Sequence, residues 1–88
     1  MNKARRKELD EVIALIGGID LNNIAQYLTD YQAEEQDKFD NLSEGLQASE
    51  QGQTIEAAAD ALQEALDAIE EATQLLDEAT TQIEAAQE

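Results

Sequence analysis

The strongest pattern in the chain is a seven-residue repeat of large apolar residues in its second half. Its members are Ile55, Leu62, Ile69, Leu76 and Ile83. When these are taken as the d positions of a heptad, Leu66 falls at an a position, as do Ala59, Thr73 and Thr80. Sustained apolar d positions are typical of a coiled-coil helix. We therefore predict a helix over about residues 50–87, with Ser49 or Thr54 as its N-cap.

This second helix has two apolar surfaces that can receive a neighbour. We expect its seam, the surface that packs inside the hairpin or against a second copy, to consist of Ile55, Leu62, Leu66, Ile69, Leu76 and Ile83. The g positions beside the seam are all alanine: Ala58, Ala65, Ala72, Ala79 and Ala86. Small side chains let a neighbouring helix approach closely on that side.

The first half of the chain also has helical periodicity, with one interruption. An apolar stripe at helical spacing runs through Leu9, Ile13, Ile16, Ile24, Tyr27 and Tyr31. It predicts a first helix over about residues 3–38. However, Gly17 and Gly18 each cost about 1 kcal/mol in a helix interior, and Asp20 would place a charge on the stripe. A kink or break at residues 17–22, with Asp20 as a cap, is therefore the alternative.

Residues 39–49 are rich in turn and capping types, which predicts a structured connection between the two helices. The whole chain, residues 1–88, is then one all-α domain, an antiparallel helical hairpin. Each helix of such a hairpin buries only one stripe, which is a thin core for a chain of this size. We expect two hairpins to pair as a homodimer, in a four-helix bundle.

The predicted hairpin is strongly acidic. The chain has 21 acidic and 5 basic residues, for a net charge of −16. Four of the basic residues lie within residues 3–7, so residues 8–88 carry a net charge of −20. Such a body repels nucleic acid and anionic membranes. A basic protein surface is the expected partner, and the alternative is that the charge serves only solubility.

Six acids of the second helix form a row. They are Glu56, Asp60, Glu64, Asp67, Glu71 and Glu78. At 3.6 residues per turn they fall within an arc of about 80°, opposite the seam. Like charges three and four residues apart are mildly destabilising, and no lysine is interspersed to relieve them. This one-signed row is either a solvated face or a surface that resembles a phosphate backbone.

Candidate chemistry is sparse. The chain has no His and no Cys, which removes the commonest general base, the commonest zinc ligand and a thiol nucleophile. A calcium loop starting at Asp40 would need an acid where Leu42 stands and a closing Glu where Gln51 stands. We expect no enzymatic activity, no metal and no cofactor.

The start of the chain is basic, but acids interrupt the place where a signal peptide is apolar. We expect a cytoplasmic protein. A double-glycine secretion leader ending at Gly17-Gly18 is an alternative, which the acidity of the remaining residues disfavours. The bases of residues 3–7 are expected to pair with acids at the end of the second helix or to remain free.

The connection carries a recognisable motif, EEQxxFDNLxEGLQxSExG, over residues 34–52. This motif resembles small acidic coiled-coil proteins encoded by bacteriophages and prophages. The resemblance covers residues 1–11 and 33–72. The chain departs from the group at Ser43, where Pro is usual, at Gln51, where Arg is common, and in the stretch 17–23.

That group has no assigned activity to transfer, so the resemblance implies a phage setting and little else. Small acidic phage proteins often inhibit host defence proteins by presenting carboxylates in place of phosphates. The sequence thus favours an inhibitor of the anti-CRISPR or anti-restriction type, acting in the host cytoplasm on a basic nucleic-acid-binding surface. The alternative is a structural coiled-coil module with no dedicated basic partner.

Overall fold

The structure, a computed structural model, describes residues 1–87. Within that range it contains four helices and no strand: α1 (Lys3–Gly17), α2 (Leu21–Asp40), α3 (Glu44–Gln47) and α4 (Glu50–Ala86). Helices α1 and α2 follow one another along α4 and both pack against it, and α3 closes the turn between α2 and α4. The chain is therefore a helical hairpin whose first arm is made of two helices.

Helix α4 sets the length of the molecule. Its 37 residues extend about 55 Å at 1.5 Å per residue. Ser49 begins it as the N-cap, and the Ser49 hydroxyl accepts a hydrogen bond from the Gly52 amide at 3.2 Å. At the far end, the Gln87 side-chain amide donates to the Arg6 carbonyl at 3.3 Å and to the Asp10 carboxylate at 2.9 Å. The two arms are thereby antiparallel, in a rod of 68 × 16 × 13 Å.

The first arm is broken, as the alternative from the sequence anticipated. Helix α1 ends at Gly17 and α2 begins at Leu21. The Asp20 carboxylate accepts a hydrogen bond from the backbone amide of Asn23 at 3.0 Å and so caps α2. A continuous helix would have placed this carboxylate on the apolar stripe, whereas the break turns it into a cap.

The break overturns part of the predicted stripe. Ile24, Tyr27 and Tyr31 were expected to face α4, but all three are exposed. The half-buried residues of α2 near its start are instead Leu21, Ala25 and Leu28. The non-helical residues 18–20 change the rotational phase of the arm, so the pattern of α1 cannot be extended into α2 at 100° per residue.

The hairpin core is thin. Among the described residues, Ala59 is the one buried apolar residue, and no large side chain is fully buried. The predicted seam lies between the arms but is only half-buried: Ile55, Leu62, Leu66, Ile69, Leu76 and Ile83. The first arm supplies its other side through Leu9, Ile13, Ile16, Leu21, Leu28 and Phe39, which are likewise half-buried. A two-helix layer leaves each of these side chains partly open to solvent.

Candidate protein-binding surface

The predicted acidic row lies along the solvent side of α4. All six of its side chains are exposed: Glu56, Asp60, Glu64, Asp67, Glu71 and Glu78. Because they belong to one uninterrupted helix, their order and spacing are fixed by its geometry. Neighbouring carboxylates from Glu56 to Glu71 are separated along the axis by about 4.5–6 Å, and Glu78 follows Glu71 after about 10.5 Å, so the row extends about 33 Å in all.

No described cation neutralises this row. Within residues 1–87 the ion pairs are Arg5–Glu8 at 3.0 Å and Lys38–Glu35 at 2.9 Å, each between residues three apart on one helix of the first arm. One row member has a polar partner, since the Asp67 carboxylate accepts a hydrogen bond from the Gln63 amide at 3.0 Å. The remaining charge of the row faces solvent.

The bases of residues 3–7 were expected either to pair with acids at the end of α4 or to remain free. Within the described residues, Arg5 pairs with Glu8 on its own helix. The hydrogen bonds across this end of the hairpin come from the Gln87 amide to Arg6 and Asp10. An amide that bridges to a carboxylate does not reduce the negative charge of this end.

Lys38 is the one basic residue outside the start, and it lies near the connection. The Glu35 carboxylate raises the pKa of the Lys38 ammonium, first through their hydrogen bond and then through the attraction of opposite charges. This pair therefore keeps Lys38 occupied within the first arm. Helix α4 itself contains no basic residue along its whole length.

A groove with a volume of about 590 Å³ lies where the break in the first arm passes α4. Ile13, Ile16 and Gly18 line it from one arm, and Thr73 and Thr80 from the other. The two threonine hydroxyls donate to carbonyls of their own helix, at 2.9 Å to Ile69 and 3.1 Å to Leu76. Asp20, Asn22 and Asp77 line the groove as well, so its walls are partly polar.

The described residues offer little else for chemistry. No group of three or more metal-ligating side chains occurs within residues 1–87. In the same range, no helix has the length and apolar character needed to cross a bilayer.

One surface was found only in part from the sequence, which pointed to the alanine flank of α4 but not to the apolar residues of the first arm beside it. Large apolar side chains on three helices are exposed on it, among them Leu15 at 73% and Leu75 at 56%. A signal for it exists in α4, where the c positions as well as the g positions lack charge. The signal in α2 was hidden, because Ile24, Tyr27 and Tyr31 had been placed inside the hairpin.

Comparison of the chain with protein-family models, with curated proteins and with solved structures finds no match.

Proposed function

We propose that this protein binds a basic, nucleic-acid-binding surface of another protein through the acidic row of α4 and so blocks access of the nucleic acid. The observation that carries the proposal is the row itself, six exposed carboxylates on one rigid helix with no described ion-pair partner. A protein that needed charge only for solubility would gain by interspersing lysines, because like charges at this spacing repel.

The dimensions of the row support nucleic-acid mimicry. Its length of about 33 Å matches roughly one turn of B-DNA, which is about 34 Å. Its axial spacing is of the same order as the 3.4 Å between phosphates of one strand. A basic groove that receives a turn of duplex can therefore pair with several of these carboxylates at once, and its affinity should fall steeply with salt.

The resemblance of the connection to phage coiled-coil proteins suggests the kind of target. In the proposed setting the protein acts in the bacterial cytoplasm as an anti-CRISPR or anti-restriction inhibitor. It requires no metal, cofactor or catalytic residue, since occupation of the basic surface is sufficient.

In the same proposal, two hairpins pair into a four-helix bundle. The thin core supports this pairing, because Ala59 is the one apolar residue buried within residues 1–87. The second candidate function, a structural coiled-coil module, is favoured by the apolar surface around Leu15 and Leu75. In that case self-association would be the function, and the acidic row would only be solvated.

The test uses the immobilised protein, nuclease-treated bacterial lysate and elution with duplex DNA. A captured protein is then purified, and release of a labelled duplex from it by the hairpin is measured. We expect release by the wild type and by a control with Glu11, Asp30, Glu34 and Asp37 neutralised to Gln or Asn, all four of which are exposed on the first arm. Neutralisation of Glu56, Asp60, Glu64 and Asp67 should abolish release.

The two variants have the same net charge and differ only in which arm has lost its carboxylates. Equal release by both would remove the acidic row from the mechanism. Recovery of only the protein itself from the lysates tested would favour the structural module.

A further inference from the structure

Five exposed apolar residues of the first arm, Val12, Leu15, Ile24, Tyr27 and Tyr31, lie on one side of the hairpin. The rings of Tyr27 and Tyr31 stack with centroids 6.2 Å apart, and they are 54% and 48% exposed. Ile24 lies one turn before them on the same side of α2, and Val12 and Leu15 extend the exposed apolar surface onto α1. Exposed aromatic and branched side chains grouped on one side of a molecule indicate an interaction surface.

The structure shows which side of α4 lies on the same side of the hairpin as these residues. A small groove on one side of the hairpin is lined by Asn22 from α2 and by Glu70 and Gln74 from α4. At 100° per residue, Ile24 and Tyr31 lie on one side of the α2 residues that face α4, and Asn22 lies on the other side. In the same way, Ala65 and Ala72 lie on one side of the α4 seam, and Glu70 lies on the other side. The tyrosines and the alanine flank therefore belong to the same side of the hairpin.

This side of α4 carries no charge. The c and g positions between residues 54 and 86 are Thr54, Ala58, Ala61, Ala65, Ala68, Ala72, Leu75, Ala79, Gln82 and Ala86. Every acid in the same stretch lies at a b, e or f position, on the remaining surface of the helix. The sequence thus separates an uncharged side of the hairpin from an acidic one.

On the first arm, an ion pair lies at each end of the exposed apolar residues. Arg5–Glu8 lies beyond Val12 at one end and Lys38–Glu35 lies beyond Tyr31 at the other. At helical spacing both pairs project to the same side as the tyrosines. Glu34, seven residues after Tyr27, projects to the same side, so this rim is charged. An apolar centre with a polar rim is the usual anatomy of a protein interface.

The exposed area is what a dimer of this chain would need to cover. The solvent-accessible surface is 6461 Å² for a mass of 9.7 kDa, whereas a folded monomer of that mass exposes about 5,100 Å². The excess of about 1,400 Å² per chain exceeds the roughly 800 Å² that each partner buries in a standard interface. A second copy would also keep both acidic rows in solvent.

We infer that the uncharged side, formed by Val12, Leu15, Ile24, Tyr27 and Tyr31 with the c and g positions of α4, is the surface through which two copies of this chain pair. The two-fold axis runs along the hairpin, so that the first arm of each copy lies over α4 of the other. The bulky residues then pack onto alanines, and every helix of the bundle has antiparallel neighbours. Such an interface is self-complementary, as two-fold symmetry requires.

The test measures mass by sedimentation equilibrium across micromolar concentrations, with helicity followed by circular dichroism. We expect a dimer for the wild type. The variant Leu75→Glu should dissociate at least tenfold more readily, whereas Gln74→Glu, which adds the same charge one residue away on the acidic side, should remain dimeric. The variant Leu15→Glu, on a different helix, should behave like Leu75→Glu.

This assignment of a surface rests on the proposed pairing of two hairpins. The outcomes therefore distinguish failure of the pairing from failure of the surface. A folded wild-type monomer at every concentration would overturn both the pairing and the surface. A wild-type dimer that Leu75→Glu and Leu15→Glu weaken no more than Gln74→Glu does would overturn the surface alone and leave the pairing standing.

Discussion

Gly52 packs so closely against the backbone of Gln47 that a side chain has no room. A Cβ atom at Gly52 would lie 2.5 Å from the Gln47 carbonyl oxygen and would also clash with the Leu46 carbonyl. Gln47 is held in turn, since its side-chain amide donates to the Phe39 carbonyl at 3.1 Å. These contacts join the end of α2, the short α3 helix and the first turn of α4, and they fix the direction in which the acidic helix leaves the connection.

We predict that Gly52→Ala destabilises the hairpin by about 1–3 kcal/mol, because backbone atoms cannot yield as a flexible side chain does. Gly45→Ala is the matched control, since a Cβ there meets nothing within 4 Å. Alanine at Gly45 should be neutral or stabilising by up to about 1 kcal/mol. Urea unfolding followed by circular dichroism measures both, and equal stabilities would contradict the close packing at Gly52.

The cap at the break is a second test of the fold. Asp20→Ala removes the acceptor that satisfies the Asn23 amide, and we expect a loss of about 0.5–2 kcal/mol in the free energy of unfolding. Asp20→Asn removes the same charge but keeps an oxygen acceptor, so it should retain most of the stability. If both variants lose the same stability relative to the wild type, the charge at this position and not the cap is what matters.

Thr73 occupies an a position of the seam and lines the groove opposite the break. We predict that Thr73→Leu stabilises the hairpin by about 1 kcal/mol, because each buried CH₂ contributes about 0.8 kcal/mol and the lost hydroxyl bonds only within its own helix. Thr81→Leu is the control, since its hydroxyl makes the same bond, to Asp77 at 3.0 Å, on an exposed position. Thermal unfolding should separate the two variants, and a comparable gain at Thr81 would attribute the effect to helix propensity.

Salt should affect folding and partner binding in opposite directions. Screening weakens the repulsion among the carboxylates of α4, so the melting temperature of the protein alone should rise with sodium chloride. The same screening should weaken any complex made through the acidic row. A target whose affinity does not depend on salt would be bound through another surface.

Much of the second arm follows from its sequence. The repeat from Ile55 to Ile83 predicts α4 and its seam, and Ser49 is found as the N-cap. The exposure of the acidic row follows as well, because residues such as Glu64 and Glu71 lie opposite that repeat on one unbroken helix. Here local propensity and periodicity agree along 37 residues, so little is left for tertiary contacts to decide.

The first arm is different, because its sequence supports two outcomes: an apolar stripe at helical spacing favours one continuous helix, whereas the glycines and Asp20 favour a break. Two glycines weaken a continuous helix by about 1 kcal/mol each, and a cap by Asp20 contributes about as much to a new one. The choice between them changes which side of α2 faces α4, and with it the exposure of Tyr27 and Tyr31. A periodic pattern cannot be carried across residues whose backbone angles are not helical.

The sequence by itself determined that the chain is helical, where α4 begins and that one face of α4 is a row of acids. Only the tertiary structure decided that the first arm breaks before Leu21 and that the tyrosines lie on the same uncharged side as the alanines of α4. The physical reason is the range of the interactions involved. Helix formation and charge spacing depend on residues within a few positions, whereas the rotation of α2 against α4 depends on residues distant in the sequence, such as Ala25 and Ile69, which line the same groove between the two helices.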